Sequence, residues 1–178
     1  MAHFINTINL KLDNYMDIYC KSPYCDKAME RLSPEFILFL HNNLEKSPKN
    51  CVLELRFHLP INIKDRNLEA EVIKSIQDHY LAEINNSLKI LNQSYKHIVK
   101  YAIVASLLIF LGFLLQLYQE KTLFVFTLCE IINIAAWVFL WEAIHTFCFK
   151  NKKSTSDLKK YKIIYSSNII FEYRTKNK

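Results

Sequence analysis

The strictest alternation in the chain runs from Cys51 to Leu59, where Cys51, Leu53, Leu55, Phe57 and Leu59 are apolar and Glu54, Arg56 and His58 lie between them. A period of two puts all five apolar residues on one side of an extended segment, which predicts a β-strand with one buried face. Pro60, which has no N–H to donate, ends it. His3–Leu12 alternates less regularly, through Phe4, Ile5, Ile8, Leu10 and Leu12, and predicts another strand. Residues 14–31 carry no regular pattern, with Ser22-Pro23 as a turn, and Ser47-Pro48-Lys49-Asn50 is a second turn. Between these, Ser33-Pro34-Glu35 starts a helix. Ser33 stands at the cap, Pro34 at the first helical position and Glu35 at the positive end of the helix dipole. That helix is expected over Pro34–Glu45, burying Phe36, Ile37, Phe39, Leu40 and Leu44.

From Asn67 the apolar spacing changes to steps of three and four, through Ile73, Ile76, Tyr80, Ile84, Leu88, Leu91, Tyr95 and Ile98. No proline or glycine interrupts it before the apolar segment that follows, so one helix is expected from about Asn67 to Gln119, about 80 Å long. Its apolar stripe suits packing on the chain's own sheet and equally a seam with neighbouring subunits. The periodicity then dissolves into two continuous apolar segments, Tyr101–Tyr118 and Leu123–Phe149, each long enough to cross about 30 Å of hydrocarbon. The linker Gln119-Glu120-Lys121-Thr122 allows only a hairpin turn. Beyond it come a polar connector, Lys152–Lys160, and two runs rich in Ile and Tyr, Tyr161–Tyr165 and Asn168–Tyr173, of which at least the second is expected to be a strand.

Composition sharpens this division. Residues 101–149 contain only Glu120, Lys121, Glu130 and Glu142 among the Lys, Arg, Asp and Glu of the chain. Residues 1–100 carry 13 Lys and Arg against 12 Asp and Glu, and residues 150–178 carry 9 against 2. Most of the net charge of +6 therefore sits just past the second apolar segment. Lys96 and Lys100 precede the first segment and Lys150, Lys152 and Lys153 follow the second, which places both termini in the cytoplasm by the positive-inside rule. The same basic stretch also suits anionic lipid or nucleotide phosphates. The expected fold is an α+β membrane protein. Residues 1–66 form a small cytoplasmic domain of about three strands plus a helix, and residues 67–100 an amphipathic juxtamembrane helix. Residues 101–149 form a transmembrane helical hairpin (101–118 and 123–149). Residues 150–178 are a basic connector and a C-terminal strand that rejoins the sheet.

The single glycine, Gly112, lies inside the first apolar segment, so glycine-dependent phosphate loops are excluded. The five cysteines (Cys20, Cys25, Cys51, Cys129 and Cys148) show neither zinc-ribbon nor CxxC spacing and read as reduced thiols. Met1–Leu12 lacks the pattern of a signal peptide. His41, His58, His79 and His97 are scattered, and no nucleophile–base pair or metal cluster stands out, so an enzyme is not expected, nor a cofactor. Polar groups inside apolar spans are costly and are functional candidates for that reason. On a helical projection Glu130, Asn133, Trp137, Trp141 and His145 fall within one arc of about 120°. In an oligomer that arc can line a water-filled path, with the two indoles as a constriction. The alternative is structural: a protonated Glu130 hydrogen-bonded to Gln116 of the first span. Outside the spans, Arg56 and His58 with Lys159, Lys160 and Arg174 suggest a basic groove for phosphates, with Tyr161, Tyr165 and Tyr173 to stack bases; a plain sheet surface is the alternative.

The order of these features resembles a group of small, uncharacterised bacterial two-span membrane proteins. The matching residues are Ser22-Pro23, Ser33–Glu45, Leu53–Pro60, Trp137–Trp141 and Asn168–Glu172; the loop around Lys21, Tyr24 and Cys25 departs from the pattern. The layout also resembles the membrane effectors of bacterial anti-phage signalling systems, the Hailong-type channel effector among them. The resemblance implies an inner-membrane ion channel or pore, a homo-oligomer such as a tetramer. A cytoplasmic domain sensing a nucleotide or short oligonucleotide would gate it, a nucleotidyltransferase would be the partner gene, and depolarisation and growth arrest the outcome. A non-conducting anchor that recruits a partner protein, or a lipid-binding membrane organiser, fits the same layout.

Overall fold

The computed structural model describes residues 5–20, 31–45, 52–117 and 123–174. In chain order the elements are β1 (Ile5–Lys11), α1 (Pro34–Glu45), β2 (Val52–Pro60), α2 (Arg66–Leu117), α3 (Leu123–His145), α4 (Asn151–Tyr165) and β3 (Asn168–Arg174). Two compact units divide the chain: Met1–Asn85 with Leu158–Lys178, and Asn86–Asp157.

The first unit is built on a three-stranded sheet of order β1-β2-β3, parallel throughout. Parallel neighbours need a long crossover, and each one here contains helix: α1 between β1 and β2, and all of α2 to α4 between β2 and β3. The central strand is the segment of strict alternation. Leu53, Leu55, Phe57 and Leu59 are all buried and pair in register with their neighbours, Leu55 lying between Ile8 and Ile169. Against this one face pack Phe36, Leu40 and Leu44 of α1, Val72, Ile76 and Tyr80 of α2, and Ile164 of α4. Each such side chain contributes about 1.5–3 kcal/mol by leaving water. Local chemistry sets the ends of the elements. The Asp65 carboxylate accepts from the Asn67 N–H at 2.8 Å and caps α2. Asn14 and Asp17 form a reciprocal capping box on the 3-10 turn Tyr15–Ile18. A bridge between Tyr19 and Leu32 then brings the chain back to the start of α1.

The sequence expectations for β2, α1, α2 and β3 agree with these elements to within a few residues. The polar connector Lys152–Lys160 and the Ile/Tyr run Tyr161–Tyr165 do not: both belong to one helix, α4. The run is too short to tell a period of two from a period of three to four. Asn151 and Leu158, seven residues or two helical turns apart, are buried, and Tyr161 and Ile164 follow Leu158 at steps of three onto the core. The helix stops where Ser166 and Ser167 turn their hydroxyls onto the carbonyls of Lys162 and Ile164. Nor does a connector begin at residue 150, because a π-helical turn, Thr146–Lys150, joins α3 to α4. Ser22-Pro23, Ser47–Asn50, Cys25, Cys51 and the linker Gln119–Thr122 lie outside the described residues.

The second unit inverts the usual order of a protein interior. Within its two apolar segments the buried residues on α2 and α3 are small (Ala105, Gly112, Cys129, Ala136 and Ala143), while Phe110, Phe113, Phe126, Ile134 and Val138 are exposed. The small residues recur at steps of seven on both helices, which is the spacing of a seam between two packed helices. Gly112 marks how close they come: a Cβ there would stand 3.3 Å from Asn133 Oδ1 and 3.6 Å from Ile132 Cγ2. Both helices contain 18-residue windows of mean hydropathy above 2, only 11% buried. A core helix of that apolarity would be mostly buried, so these two are long and apolar enough to cross a membrane and are not covered by the chain itself. The protein thus combines helices, a three-stranded parallel sheet and two long apolar helices.

Candidate functional site

Within the second unit, Glu130 begins the polar arc of α3. It is exposed, and among the described residues it makes no hydrogen bond, with Gln116 or any other group. Asn133 is half-buried because it faces Gly112 on α2. Trp137 and Trp141 are 68% and 65% exposed. A groove of about 520 Å³ runs between α2 and α3, lined by Ile109, Glu130, Asn133 and Trp137 among others. The structure therefore brings Glu130, Asn133 and Trp137 together on one groove. Trp141 belongs to a neighbouring hollow of about 670 Å³ with Trp137, Tyr101 and Glu142. His145 is exposed with its ring 5.5 Å from that of Phe149. Glu142 accepts from the Thr146 hydroxyl at 3.3 Å, beside the π-turn. Gln116 is exposed near the end of α2.

In the first unit the polar side of β2 forms a ladder across all three strands. Asn9 Oδ1 lies 3.1 Å from His58 Nε2, and His58 Nδ1 lies 3.2 Å from Glu172. Arg56 joins Glu172 at 3.3 Å and Glu54 at 2.5 Å. Its guanidinium is held above its ordinary pKa by the Glu54 carboxylate, with Glu172 adding to the effect. Two carboxylates thus compete for the charge that a phosphate would need. Lys159 and Lys160 lie on α4, which packs by Ile164 on the opposite, apolar face of the sheet. Arg174 ends β3 and is exposed. Arg56, His58 and Arg174 share the open face by strand alternation, and the two lysines do not join them.

No family model, no curated protein and no solved structure matches the chain. Function has to be argued from the residues themselves.

Two clusters in the first unit escaped the sequence. At the carboxyl ends of the strands, the Asp65 N–H donates to the Tyr15 hydroxyl, which lies 3.0 Å from the Tyr173 hydroxyl, and Tyr173 donates to Glu69. Burial first, and then the Glu69 and Tyr15 hydrogen bonds, hold the Tyr173 phenol well above its usual range. Lys64 lies over the same ring at 4.9 Å. This chain of bonds ties the start of α2 to the end of β3. The second cluster joins α1, α2 and α4: the rings of His41, Tyr80 and Tyr161 meet pairwise with centroids 5.7–6.2 Å apart. The Tyr80 hydroxyl is buried without a hydrogen-bond partner among the described residues, and burial raises its pKa. Neither cluster has a local signature, because its members come from segments far apart in the chain.

Proposed function

We propose that the protein is an oligomeric inner-membrane channel whose hairpin of α2 and α3 lines an ion path at Glu130 and Asn133, gated by the sheet-bearing first unit. One observation carries this reading: an exposed carboxyl group without a partner among the described residues, beside an exposed indole, on a largely apolar two-helix surface. In hydrocarbon such a group is costly, so water or another protein surface has to meet it. Glu130 lies seven residues into α3, about 10 Å from its start, too deep to reach the headgroups of that side. The pairing of β3 with β2 supports a hairpin whose two flanks share one side of the bilayer. The basic flanks then make that side the cytoplasm. Gating by a nucleotide or short oligonucleotide, and depolarisation with growth arrest in anti-phage defence, follow from the resemblance of the layout to two-span effectors.

The test is conduction. Purified full-length protein in planar bilayers should pass ions, and Glu130→Gln should change its cation-to-anion selectivity, while expression in cells loaded with a voltage-sensitive dye should depolarise them. Silence in bilayers, with and without added nucleotides and oligonucleotides, would remove the channel reading. A second reading, a non-conducting scaffold, is favoured by the sheet. All-parallel sheets are normally covered on both faces, whereas here Arg56 and Glu172 on the second face are about 40% exposed. Depletion of one soluble partner by the first unit, in a protein that never conducts, would decide for it.

A further inference from the structure

The hairpin unit holds two groups with no counterpart among the described residues of the chain. The Glu130 carboxyl group has no donor, and the exposed Trp137 indole N–H has no acceptor among the described residues. Positions along the hairpin follow from the contacts between its helices. Gly112 abuts Ile132 and Asn133, while Tyr101 meets Phe139 with ring centroids 6.1 Å apart, so α2 and α3 run antiparallel. Gln116, four residues beyond Gly112, therefore stands level with Leu128 and Cys129, within about 3 Å of the depth of Glu130. Trp137, two residues before Phe139, stands level with Ile103. Ile103 is in the middle of a shallow notch of about 360 Å³ on α2, lined by Val99, Ala102, Ile103, Ser106 and Leu107. Ser106 spends its hydroxyl proton on the Ala102 carbonyl at 2.8 Å, which leaves its oxygen free to accept.

The groove of Glu130 and the notch lie on adjoining sides of α2: the notch starts at Ala102, and Ser106 stands about 60° and Ile103 about 120° round the helix from Ile109. Ile109 lines the groove of Glu130 and Trp137. Ala102 and Gln116 stand seven residues before and after Ile109 on α2, within about 20° of it around the helix. Copies related by an axis along the bilayer normal keep every residue at the same depth, so only features matched in depth can meet. Resting on the oligomeric membrane reading above, we propose that these adjoining sides of the hairpin dock on a second copy of the chain. The Gln116 amide of one copy donates to Glu130 of the other, and the Trp137 indole of one copy fills the Ala102–Ser106 notch of the other, donating to Ser106 Oγ. Lipid tails offer neither the donor nor the acceptor.

Cross-linking in native membranes tests the pairing. Differently tagged Ser106→Cys and Trp137→Cys chains, co-expressed and oxidised with copper phenanthroline, should give a doubly tagged band at twice the 21.1 kDa of one chain. The wild-type chain, with its own cysteines, sets the background. A Ser106→Cys with Ile131→Cys pair, about 120° round α3 from Trp137, should stay at that background. A band of equal strength from the Ile131→Cys pair, or none from the Ser106/Trp137 pair, overturns the proposal. Gln116→Leu, which leaves the indoles in place, should weaken self-association measured by energy transfer between labelled copies about tenfold, the loss of one interhelical hydrogen bond. Unchanged association would equally sink it. Conduction that persists without the cross-link removes this interface and leaves the channel. A cross-link without conduction removes the channel and leaves the interface.

Discussion

Tyr80 and Gly112 show how single atoms set the tolerances of the two units. The Tyr80 hydroxyl is buried without a hydrogen-bond partner among the described residues, which leaves its desolvation uncompensated there. Tyr80→Phe keeps the ring contacts with His41, His79 and Tyr161 and removes that cost; it should stabilise the protein by about 1 kcal/mol in denaturant melts at neutral pH. Burial raises the Tyr80 pKa, with Tyr161 and Glu83 adding to the effect. A folded-state pKa above the unfolded value means stability that is complete below about pH 10 and falls as pH rises further. The wild type should therefore lose stability above about pH 10, and Tyr80→Phe should lose it less steeply, with Tyr173 supplying part of the remaining slope. At Gly112 the nearest atom to an added Cβ is the end of the Asn133 side chain, which can swing aside. Gly112→Ala should shift the detergent thermal midpoint little. Gly112→Leu has to part the helices and should cost about 1–3 kcal/mol. Tyr80 was legible in the sequence as a helix-face position; the unpaired state of its hydroxyl was not, because its neighbours come from three separate segments.

At the scale of elements, the strand β2 and the helix α1 could be read directly because each carries a clear period and a chemical boundary, and α2 because a helical period from Asn67 runs into an apolar segment with no proline. α4 could not. Its N-terminal half is so polar that the helical period rests on Leu158, Tyr161 and Ile164, three apolar residues at steps of three. The π-turn before it leaves no trace in composition. Its effect is visible in burial: Thr146 and Asn151, five residues apart rather than three or four, are both buried. The widened turn absorbs the extra residue, so the two stay on one face. Deleting the exposed Cys148 leaves them four apart, the same-face spacing of a plain α-helix, and should change the thermal midpoint in detergent little. A large loss of stability in the deletion variant would show that the π-turn itself is needed for the packing of Thr146 and Asn151. The two apolar spans were the easiest elements to read and the Glu130 arc nearly so, since a projection recovers its angles. That Asn133 turns toward Gly112 while Glu130 does not depends on the helix contact itself.

For the whole molecule, the proposed membrane topology can be tested at both ends of the chain. A reporter that fluoresces only in the cytoplasm, fused to either end, should be bright in both fusions, and alkaline phosphatase placed in the linker Gln119–Thr122 should be active. A dark fusion at one end would contradict the pairing of β2 with β3 around a membrane hairpin. The basic groove expected of Arg56, His58, Lys159, Lys160 and Arg174 was the least legible part. Charge along a chain does not say which face of a sheet a residue serves, and here α4 takes its lysines to the other side while Glu54 and Glu172 occupy Arg56. The pairing of β3 with β2 has one more consequence, for biogenesis. During synthesis β2 leaves the ribosome more than a hundred residues before β3, so one edge of the central strand stays open until both apolar helices have been made. In a chain whose hairpin enters a bilayer, that edge closes only if both helices have crossed. A chain that inserted one span and left the other behind would strand its final segment on the wrong side and keep that edge open. On the membrane reading proposed above, completion of the sheet would then report that both spans had crossed.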